Sequence, residues 1–274
     1  MNKSANNTAP TSAAEFFQYR YPPFADTYEI QKPFQSQTET LILNRSLALI
    51  RQGKSLAIYG EAGAGKSMLI KSISQQLDSK SYRVVTIPYG GLKPSAILRE
   101  LCEAFAIDLT GRKNLLPRLQ KNFQPHTDKP FPVILIDDAH DMEKKSFIDL
   151  CSLLHDAQSR TAAAVIILAG QPVLKNMLEL DIFAPVRTRM ACRFFLPKLS
   201  IDEAVAFVRF RLQVAEASPD LFHEHALQAI AADSAGNRRT LMNLAALCLE
   251  EAARRQENIV TADIVNMITA EQSQ

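Results

Sequence analysis

The feature that most limits the fold of this chain is the octapeptide G-E-A-G-A-G-K-S at residues 60–67. It fits the pattern G-x-x-x-x-G-K-[ST] at every fixed position. The run S-L-A-I-Y-G ending at residue 60 is typical of a strand, and residues 66–77 have the apolar spacing of a helix. A glycine-rich turn between a strand and a helix predicts a phosphate-binding loop, because backbone N–H groups and the helix dipole both favour an anion there. An ordinary glycine turn is the alternative.

An acidic pair further along the chain completes the pattern expected for ATP and Mg²⁺. Lys66 is expected to reach the β- and γ-phosphates, and the Ser67 hydroxyl to bind the metal. A second metal ligand is expected at the end of a neighbouring strand. In V-I-L-I-D-D-A-H, Asp137 fits that ligand, and Asp138 fits the group that orients or deprotonates the attacking water. The pair could instead cap a helix. The residues expected to contact the nucleotide are Gly60, Glu61, Ala62, Gly63, Ala64, Gly65, Lys66, Ser67 and Met68.

Strand-like and helical runs alternate along the first two thirds of the chain. Helices are predicted at 38–52, 66–77, 94–105 and 144–154, and strands at 55–60, 82–88, 131–137, 163–170 and 192–196. This alternation predicts an α/β domain with a parallel sheet covered by helices. After Pro197 the strands stop, and S-I-D-E at 200–203 predicts a capping box. Helical patterns follow at about 200–214, 221–233, 238–254 and 261–270.

These patterns predict three parts: a flexible N-terminal tail (1–29), an α/β core (30–197) and a small all-helical domain (198–274). Residues 1–14 are small and polar, which is typical of disorder. Residues 16–34 hold seven of the twenty aromatic side chains. We call residues 16–34 the N-terminal strap. The aromatic residues are expected to pack across the next domain, and a docking segment for a partner is the alternative.

The composition favours a soluble globular protein, with 47% hydrophobic and 22% charged residues. The chain lacks the roughly 18 consecutive apolar residues of a membrane helix, and its N-terminus has no apolar signal core. A cytoplasmic protein without a membrane partner is therefore expected. The four cysteines are far apart and are interpreted as reduced core thiols. The net charge of +2 predicts nothing about partners, so any nucleic-acid binding must use a local patch.

Further polar side chains are expected near a γ-phosphate. Gln171 follows the fourth strand, on the same edge as Asp137 if the strands are parallel. Two arginine clusters also flank the predicted site, and arginine suits the charge of a phosphoryl transition state. Solvated surface is the alternative for each cluster. The arginines are Arg187, Arg189 and Arg193 in R-T-R-M-A-C-R, and Arg238 and Arg239 in G-N-R-R.

With these motifs, residues 30–270 resemble an AAA+ ATPase of the ExeA/TnsC-like group, a P-loop NTPase family. The resemblance also rests on I-D-D-A-H, L-A-G-Q-P-V-L and G-N-R-R-T-L-M-N-L. It implies a five-stranded sheet, a helical lid and ATP bound at subunit interfaces. Gln171 then resembles the sensor-1 residue and Arg239 the sensor-2 arginine, while Arg187 or Arg189 resembles the finger that reaches a neighbour's ATP. Two positions depart from the family: Asp138 replaces the usual glutamate, which implies slow hydrolysis, and Arg238 replaces a proline, which could alter the helix start.

The resemblance implies an ATPase that oligomerises, as a ring or filament, on duplex DNA and assists a transposase. The chain shows neither the membrane helix nor the peptidoglycan-binding domain of the secretion and pilus branch, so transposition is favoured. Secretion or pilus assembly, and replication initiation or helicase loading, are the alternatives. A basic segment, G-R-K-N-L-L-P-R-L-Q-K, could contact phosphates without sequence preference, or could be a solvated face. Its cations are Arg112, Lys113, Arg118 and Lys121.

Overall fold

The computed structural model describes residues 12–25, 30, 32–88, 91–109, 115–123, 129–154 and 161–272. Within them the chain forms two compact units. The first, residues 37–197, is the α/β unit. The second, the helical unit, combines residues from the first 36 positions with those from Lys198 onward. The α/β fold class and the helical C-terminal region predicted from the sequence are confirmed.

One short helix, α1 (Ala13–Phe17), leads into the strap, and both are grouped with the helical unit. The α/β unit follows, and its helices and strands alternate as the apolar pattern predicts. Its elements are α2 (Gln37–Arg51), β1 (Ser55–Tyr59), α3 (Lys66–Gln76), β2 (Tyr82–Pro88), α4 (Pro94–Ala104), α5 (Leu115–Asn122), β3 (Phe131–Asp137), α6 (Lys144–Cys151), β4 (Val165–Gly170), α7 (Pro172–Glu179), α8 (Ala184–Arg187) and β5 (Met190–Phe195).

The five strands form one parallel sheet in the order β2-β3-β4-β1-β5. Alternate residues of β3 face opposite sides, so Ile134 and Ile136 join one apolar core while Val133 and Leu135 join another. All four side chains are fully buried. This confirms the prediction that the run at 131–137 is central and covered on both faces. The carboxyl ends of all five strands consequently lie at one edge of the sheet.

The helical unit is built on four helices around a single apolar core. The capping box predicted at Ser200 is present: the backbone N–H of Glu203 donates to the Ser200 hydroxyl at 3.2 Å, and the Ser200 N–H donates to the Glu203 carboxylate at 3.0 Å. These two bonds satisfy N–H groups that the helix itself leaves open. The helices are α9 (Ile201–Val214), α10 (Glu224–Asp233), α11 (Arg238–Arg255) and α12 (Ala262–Gln272).

The N-terminal strap packs on the helical unit, whereas the sequence led us to expect it across the α/β domain, with a boundary after residue 29. The structure instead groups the strap with the C-terminal helices, and the α/β unit begins at Gln37. Phe24 is buried and meets the ring of Phe222 edge to face at 5.9 Å. Arg211 of α9 is also buried and donates to the carbonyl oxygens of Pro23 and Ala25, both at 2.7 Å. The strap therefore supplies acceptors for a buried guanidinium, which is costly to leave unpaired.

Of the three buried thiols, Cys102 and Cys151 lie in the α/β unit and Cys248 in the helical unit. Burial raises the pKa of Cys151 to about 11 in the α/β unit. In the helical unit burial, and secondarily the charge of Asp233, raise the pKa of Cys248 to about 12. Both thiols are therefore protonated and poorly reactive near neutral pH. In the described parts of the chain, no helix has the length and apolar character to cross a membrane.

Candidate nucleotide-binding site

The loop between β1 and α3 depends on glycine at several positions. A Cβ added at Gly60 would lie 2.4 Å from the carbonyl oxygen of Leu196, so only glycine fits there. Gly63 and Gly65 have φ values of 76° and 106°, a region that L side chains rarely adopt. Helix α3 then begins at Lys66, and its first backbone N–H groups have no partner within the helix. The loop therefore presents backbone N–H groups at the positive end of a helix.

Lys66 curls back over this loop. Its residue is only 6% exposed, and its ammonium group donates to the carbonyl oxygens of Gly60 at 3.0 Å and Glu61 at 2.9 Å. The following hydroxyl, Ser67, is exposed on the first turn of α3. The Lys66 ammonium group and the Ser67 hydroxyl therefore accompany the backbone N–H groups at the start of α3. This donor set fits the phosphates of a nucleotide and one Mg²⁺ ligand.

The acidic pair lies where β3 ends. Asp137 is the last residue of β3 and half-buried, and its carboxylate accepts a hydrogen bond of 3.0 Å from the Asp138 N–H. Asp138 is exposed and has φ 47° and ψ 38°, a left-handed conformation that aspartate tolerates better than most residues. It precedes a short 3-10 turn at residues 139–141, but its side chain makes no capping hydrogen bond. The helix-cap alternative for Asp138 therefore has no support in the geometry.

The loops after β1, β3 and β4 meet at one place. The Gly60 N–H donates to the Gly170 carbonyl at 3.1 Å. A Cβ on Gly170 would lie 3.2 Å from the backbone nitrogen of His140. Gln171 follows at once, exposed and at the start of α7. Because β4 lies between β1 and β3, the phosphate-binding loop, the acidic pair and Gln171 are adjacent. The prediction that Gln171 and Asp137 share an edge of the sheet agrees with this topology.

His140 shows no metal-ligand spacing in the sequence and was interpreted as a structural residue. Its side chain is 8% exposed, and its two ring nitrogens lie 3.9 Å from carboxylate oxygens of Asp138 and Asp141. Among the described residues, no hydrogen-bond partner is present for its Nδ1 atom. The ring thus lies beside the candidate water-orienting carboxylate. The signal in the sequence was the spacing D-D-A-H, which keeps the histidine within one short turn of the acidic pair.

The arginines before β5 are held within the α/β unit. Arg187 ends α8 and donates to the carbonyl oxygens of Leu178 at 3.2 Å and Glu179 at 2.7 Å, at the C-terminal end of α7. Arg193 forms an ion pair with the Glu179 carboxylate. Arg189 donates to the Pro185 carbonyl at 3.1 Å. These contacts of all three guanidinium groups are with residues of the α/β unit.

Arg239 lies in the helical unit, on the first turn of α11. The Asn237 side chain caps this turn, accepting from the backbone N–H groups of Arg239 at 3.0 Å and Thr240 at 3.2 Å. The Arg239 residue is exposed, whereas Arg238 is 7% exposed. The helix therefore starts at Arg238 with a regular asparagine cap, although arginine stands where the resembled family has proline.

The basic segment is described only in part. Arg112 and Lys113 lie outside the described residues. Arg118 is half-buried in α5 and donates to the Asp108 carbonyl at 2.7 Å. Lys121 is exposed in the last turn of the same helix. Of the described cations of this segment, Lys121 is the more accessible to a phosphate.

Comparison with known proteins finds a family match within the α/β unit. Residues 50–178 match the family model described as AAA domain. Over 256 residues the chain is 26% identical to General secretion pathway protein A of Aeromonas hydrophila, an alignment that covers 91% of this chain. The chain spans about half (47%) of the length of this curated relative.

Solved structures of low sequence identity share the fold. The ORC2 protein of Aeropyrum pernix, in ADPNP and ADP complexes, has a TM-score of 0.71 at 14% identity, covering 92% of this chain and 72% of its own. Drosophila ORC bound to DNA has a TM-score of 0.72 at 16% identity, covering 100% and 70%. The RuvB Holliday junction branch migration motor of Thermotoga maritima has a TM-score of 0.60 at 17% identity, covering 86% and 69%. These likenesses support the predicted fold of sheet and helical region.

Proposed function

We propose that this protein is a Mg²⁺-dependent ATPase that assembles on duplex DNA when ATP is bound. The observation that carries the proposal is the meeting of three loops at one sheet edge. There the Gly60 N–H is bonded to the Gly170 carbonyl, with Lys66 over the phosphate-binding loop and Asp137 at the end of a nearby strand. Phosphoryl transfer from ATP uses groups of these kinds: a cation, a hydroxyl, backbone N–H groups and two carboxylates.

The residues of this chain take distinct roles in the proposed reaction. The loop from Gly60 to Met68 binds the phosphates, and Lys66 neutralises charge on them. Ser67 and Asp137 hold Mg²⁺, which when bound offsets negative charge that develops on the phosphoryl oxygens. Asp138 orients the attacking water or accepts its proton. These positions lie on rigid elements, a strand end and a helix start, which favours precise placement.

Three further side chains respond to the γ-phosphate in this proposal. Gln171 contacts it from the end of β4, and Arg239 is the sensor-2 residue that the resemblance implies. Arg187 or Arg189 reaches the ATP of a neighbouring protomer. ATP then stabilises an oligomer, as a ring or filament, and hydrolysis loosens it. Arginine suits both contacts because its planar donors match phosphate oxygens.

DNA is the proposed partner of the oligomer, and assistance to a transposase is the proposed task. Support comes from the sequence resemblance and from the similar fold of a solved ORC structure that contains DNA. The proposed DNA contacts are to backbone phosphates and carry little sequence preference. They would come from Arg112, Lys113, Arg118 and Lys121. A cytoplasmic setting belongs to the same proposal.

A second candidate function is secretion or pilus assembly. The specific observation in its favour is the 26% identity to General secretion pathway protein A over 91% of this chain. Both candidates use the same nucleotide site, so ATP hydrolysis does not discriminate between them. Binding to duplex DNA does. Replication initiation, the third alternative, would share DNA binding but not dependence on a transposase.

The deciding experiment is a titration of duplex DNA of arbitrary sequence with the purified protein, with and without ATP and Mg²⁺, at two salt concentrations. We expect binding that requires ATP and weakens steeply with salt, because phosphate contacts release counterions. Lys66→Ala is expected to abolish both ATP binding and ATP-dependent DNA binding. ATP binding without DNA binding in any nucleotide state would favour the secretion candidate. Retained ATP binding by Lys66→Ala would overturn the nucleotide site itself.

A further inference from the structure

One buried histidine of the α/β unit lies beside a carboxylate that the proposed reaction uses. His140 belongs to the short turn at residues 139–141, and its side chain is 8% exposed. Its Nδ1 atom is shielded from solvent and has no hydrogen-bond partner among the described residues. A buried polar atom without a partner costs free energy. Such an atom therefore gains from any hydrogen bond that the site can form.

The Asp138 carboxylate is the neighbour of this nitrogen. Asp138 Oδ1 lies 3.9 Å from His140 Nδ1, about 1 Å beyond the distance of a hydrogen bond. The Asp138 side chain is 55% exposed and makes no capping bond to the turn that follows it, so it has room to rotate. The other ring nitrogen, Nε2, lies 3.9 Å from Asp141, whose side chain is 60% exposed. A small rotation of Asp138 gives the buried Nδ1 its partner, whereas Asp141 can turn to water.

The histidine is the fixed member of this pair. The Asp141 N–H donates to the Asp138 carbonyl at 3.1 Å, which closes the turn around His140. Ala139, the residue before the histidine, is fully buried in an apolar core of the α/β unit. A Cβ on Gly170, the last residue of β4, would lie 3.2 Å from the His140 backbone nitrogen, so the turn is packed closely on the sheet. The exposed Asp138 side chain is therefore the one that moves.

We propose that His140 is a positioning residue for Asp138. In the complex with ATP, its Nδ1–H donates to the Asp138 carboxylate and fixes the orientation of that carboxylate for hydrolysis. The inference rests on the proposed role of Asp138. Hydrogen bonds of catalytic groups are often long before substrate binds and shorten in the complex. The resembled family has glutamate at this position, and aspartate is one methylene group shorter, so its placement depends more on a neighbour that fixes it.

Three substitutions of His140 test which ring nitrogen matters. In His140→Asn the side-chain amide lies near the position of Nδ1, in His140→Gln it reaches the position of Nε2, and His140→Leu has no donor. The measurements are equilibrium binding of a fluorescent ATP analogue with Mg²⁺ and single-turnover ATP hydrolysis. We expect all three variants to bind the nucleotide as the wild type does. Hydrolysis should fall about 10- to 100-fold in His140→Gln and His140→Leu, the scale of a displaced catalytic group, and stay within about threefold of wild type in His140→Asn.

A second substitution separates positioning from damage to the turn. In an Asp138→Asn protein, His140→Leu should slow hydrolysis no further, because the carboxylate being positioned is gone. Asp141→Asn is the matched control: it removes the charge beside Nε2, its amide oxygen still accepts a hydrogen bond, and it should hydrolyse ATP at the wild-type rate. The Tm of each variant, measured without ATP, reports structural damage independently.

The outcomes distinguish this inference from the proposed function. Equal losses of hydrolysis in His140→Asn and His140→Gln, no loss in His140→Leu, or a further loss in the Asp138→Asn background would overturn the positioning role. So would ATP binding that weakens as much as hydrolysis slows. In each of these cases the wild-type protein still binds and hydrolyses ATP, so the proposed function stands. A wild-type protein that binds no ATP, or Asp138→Asn with wild-type hydrolysis, would overturn the proposed assignment and this inference with it.

Discussion

At the scale of single residues, the acidic pair combines chemistry with an uncommon backbone conformation. Asp138 adopts the left-handed region at φ 47° directly after Asp137, whose carboxylate accepts its N–H. Such a conformation costs most residues about 1–2 kcal/mol, and aspartate and asparagine least. The conformation directs the second carboxylate away from the course of the strand. In the proposed function, this position therefore needs a residue that tolerates the left-handed conformation and also carries a carboxylate.

Asp138→Asn separates these two requirements, because asparagine keeps the backbone tolerance and loses the charge. We expect normal ATP binding and thermal stability but a loss of hydrolysis of about 100-fold or more, the scale of a lost general base. Single-turnover hydrolysis with Mg²⁺·ATP measures this. The control is Asp141→Asn, which alters the other carboxylate beside His140 and should leave hydrolysis unchanged. Equal losses in both variants would argue against a special role of Asp138.

Two glycines of the α/β unit form a matched pair for testing steric fit. Gly53 and Gly91 have similar φ values of 66° and 73°. A Cβ on Gly53 would lie 2.8 Å from the Cβ of Ala162, whereas a Cβ on Gly91 meets no atom of the described residues within 4 Å. Both alanine variants should lose about 1–2 kcal/mol from backbone strain, and Gly53→Ala about 1–3 kcal/mol more from overpacking. Denaturant unfolding measures the difference.

The rescue for this pair is Ala162→Gly, which removes the methyl group that Gly53→Ala would meet. In the double variant the overpacking cost should disappear while the backbone strain remains. Equal stability of Gly53→Ala and Gly91→Ala would contradict the steric account.

At the scale of elements, helix α11 is anchored differently at its two ends. Its start is held by the asparagine cap and by Arg238 between two rings. Near its end, Glu251 accepts from Arg254 at 2.7 and 2.6 Å and from Arg255 at 2.6 Å. The hydrogen bonds from Arg254 and then Arg255 lower the pKa of Glu251 to about 2. The last turns thus carry cations where the helix dipole favours them.

Replacing Glu251 by glutamine should give a stability difference that depends on pH. The folded-state pKa is lowered, so the ionised carboxylate stabilises the protein above its ordinary pKa, and this contribution disappears as the pH falls towards 2. At pH 7 the loss should be small, about 0.5–1 kcal/mol, because the ion pairs are at the surface. The measurement is the difference in unfolding free energy between wild type and Glu251→Gln at pH 7 and at acidic pH.

The control for this helix is Glu250→Gln, at the exposed neighbouring position outside the cluster of Glu251, Arg254 and Arg255. It should show a smaller change with pH. A Glu251→Gln difference that stays constant down to pH 2 would contradict the linkage.

A helix or strand could be predicted from the sequence where a local run of residues defines it. The strands at 82–88 and 131–137 were predicted at their observed bounds, because each is a distinct run of strand-forming residues. Helix α7 was not predicted: its buried Leu174 and Leu178 are a single apolar pair, too short to define a helical period. Helix α8 has four residues and owes its existence to packing of Val186. Short elements are set by tertiary contacts that local sequence does not contain.

At the scale of the whole molecule, each unit has apolar packing of its own, with two core clusters in the α/β unit and one in the helical unit. The glycine-rich loop between β1 and α3 was predictable because its motif is local, and so was the acid at the end of β3. The strand order β2-β3-β4-β1-β5 could not be read from local patterns, since it depends on which strands pair. The contacts of Arg238 with Phe34 and Phe207 were equally hidden. They join positions that are distant in sequence.

Buried thiols allow the effect of ATP on the α/β unit to be measured in the intact protein. Cys151 lies in the core of that unit and is 5% exposed. A thiol reagent should modify it only when the unit opens. ATP with Mg²⁺ at 100 times its dissociation constant should slow this modification about 100-fold by mass action, provided that ATP binds only the closed state. A protein with Cys151 as its only cysteine, followed by mass spectrometry, gives the rate.

The control for this measurement is the same single-cysteine protein with Lys66→Ala, in which ATP should not alter the rate. A second protein with Cys248 as its only cysteine reports opening of the helical unit. An unchanged rate for Cys151 at saturating ATP would contradict binding to the α/β unit.

The location of the strap has a consequence for the order in which the chain folds during synthesis. The α/β unit is inserted, in sequence, within the helical unit, so the strap leaves the ribosome long before its partners do. Arg211, for example, follows the Pro23 carbonyl it binds by 188 positions. At synthesis rates of about 5–20 residues per second, the strap waits roughly 10–40 s with its aromatic side chains uncovered. The nascent chain therefore exposes an aggregation-prone segment that chaperones would be expected to shield until the last helices emerge.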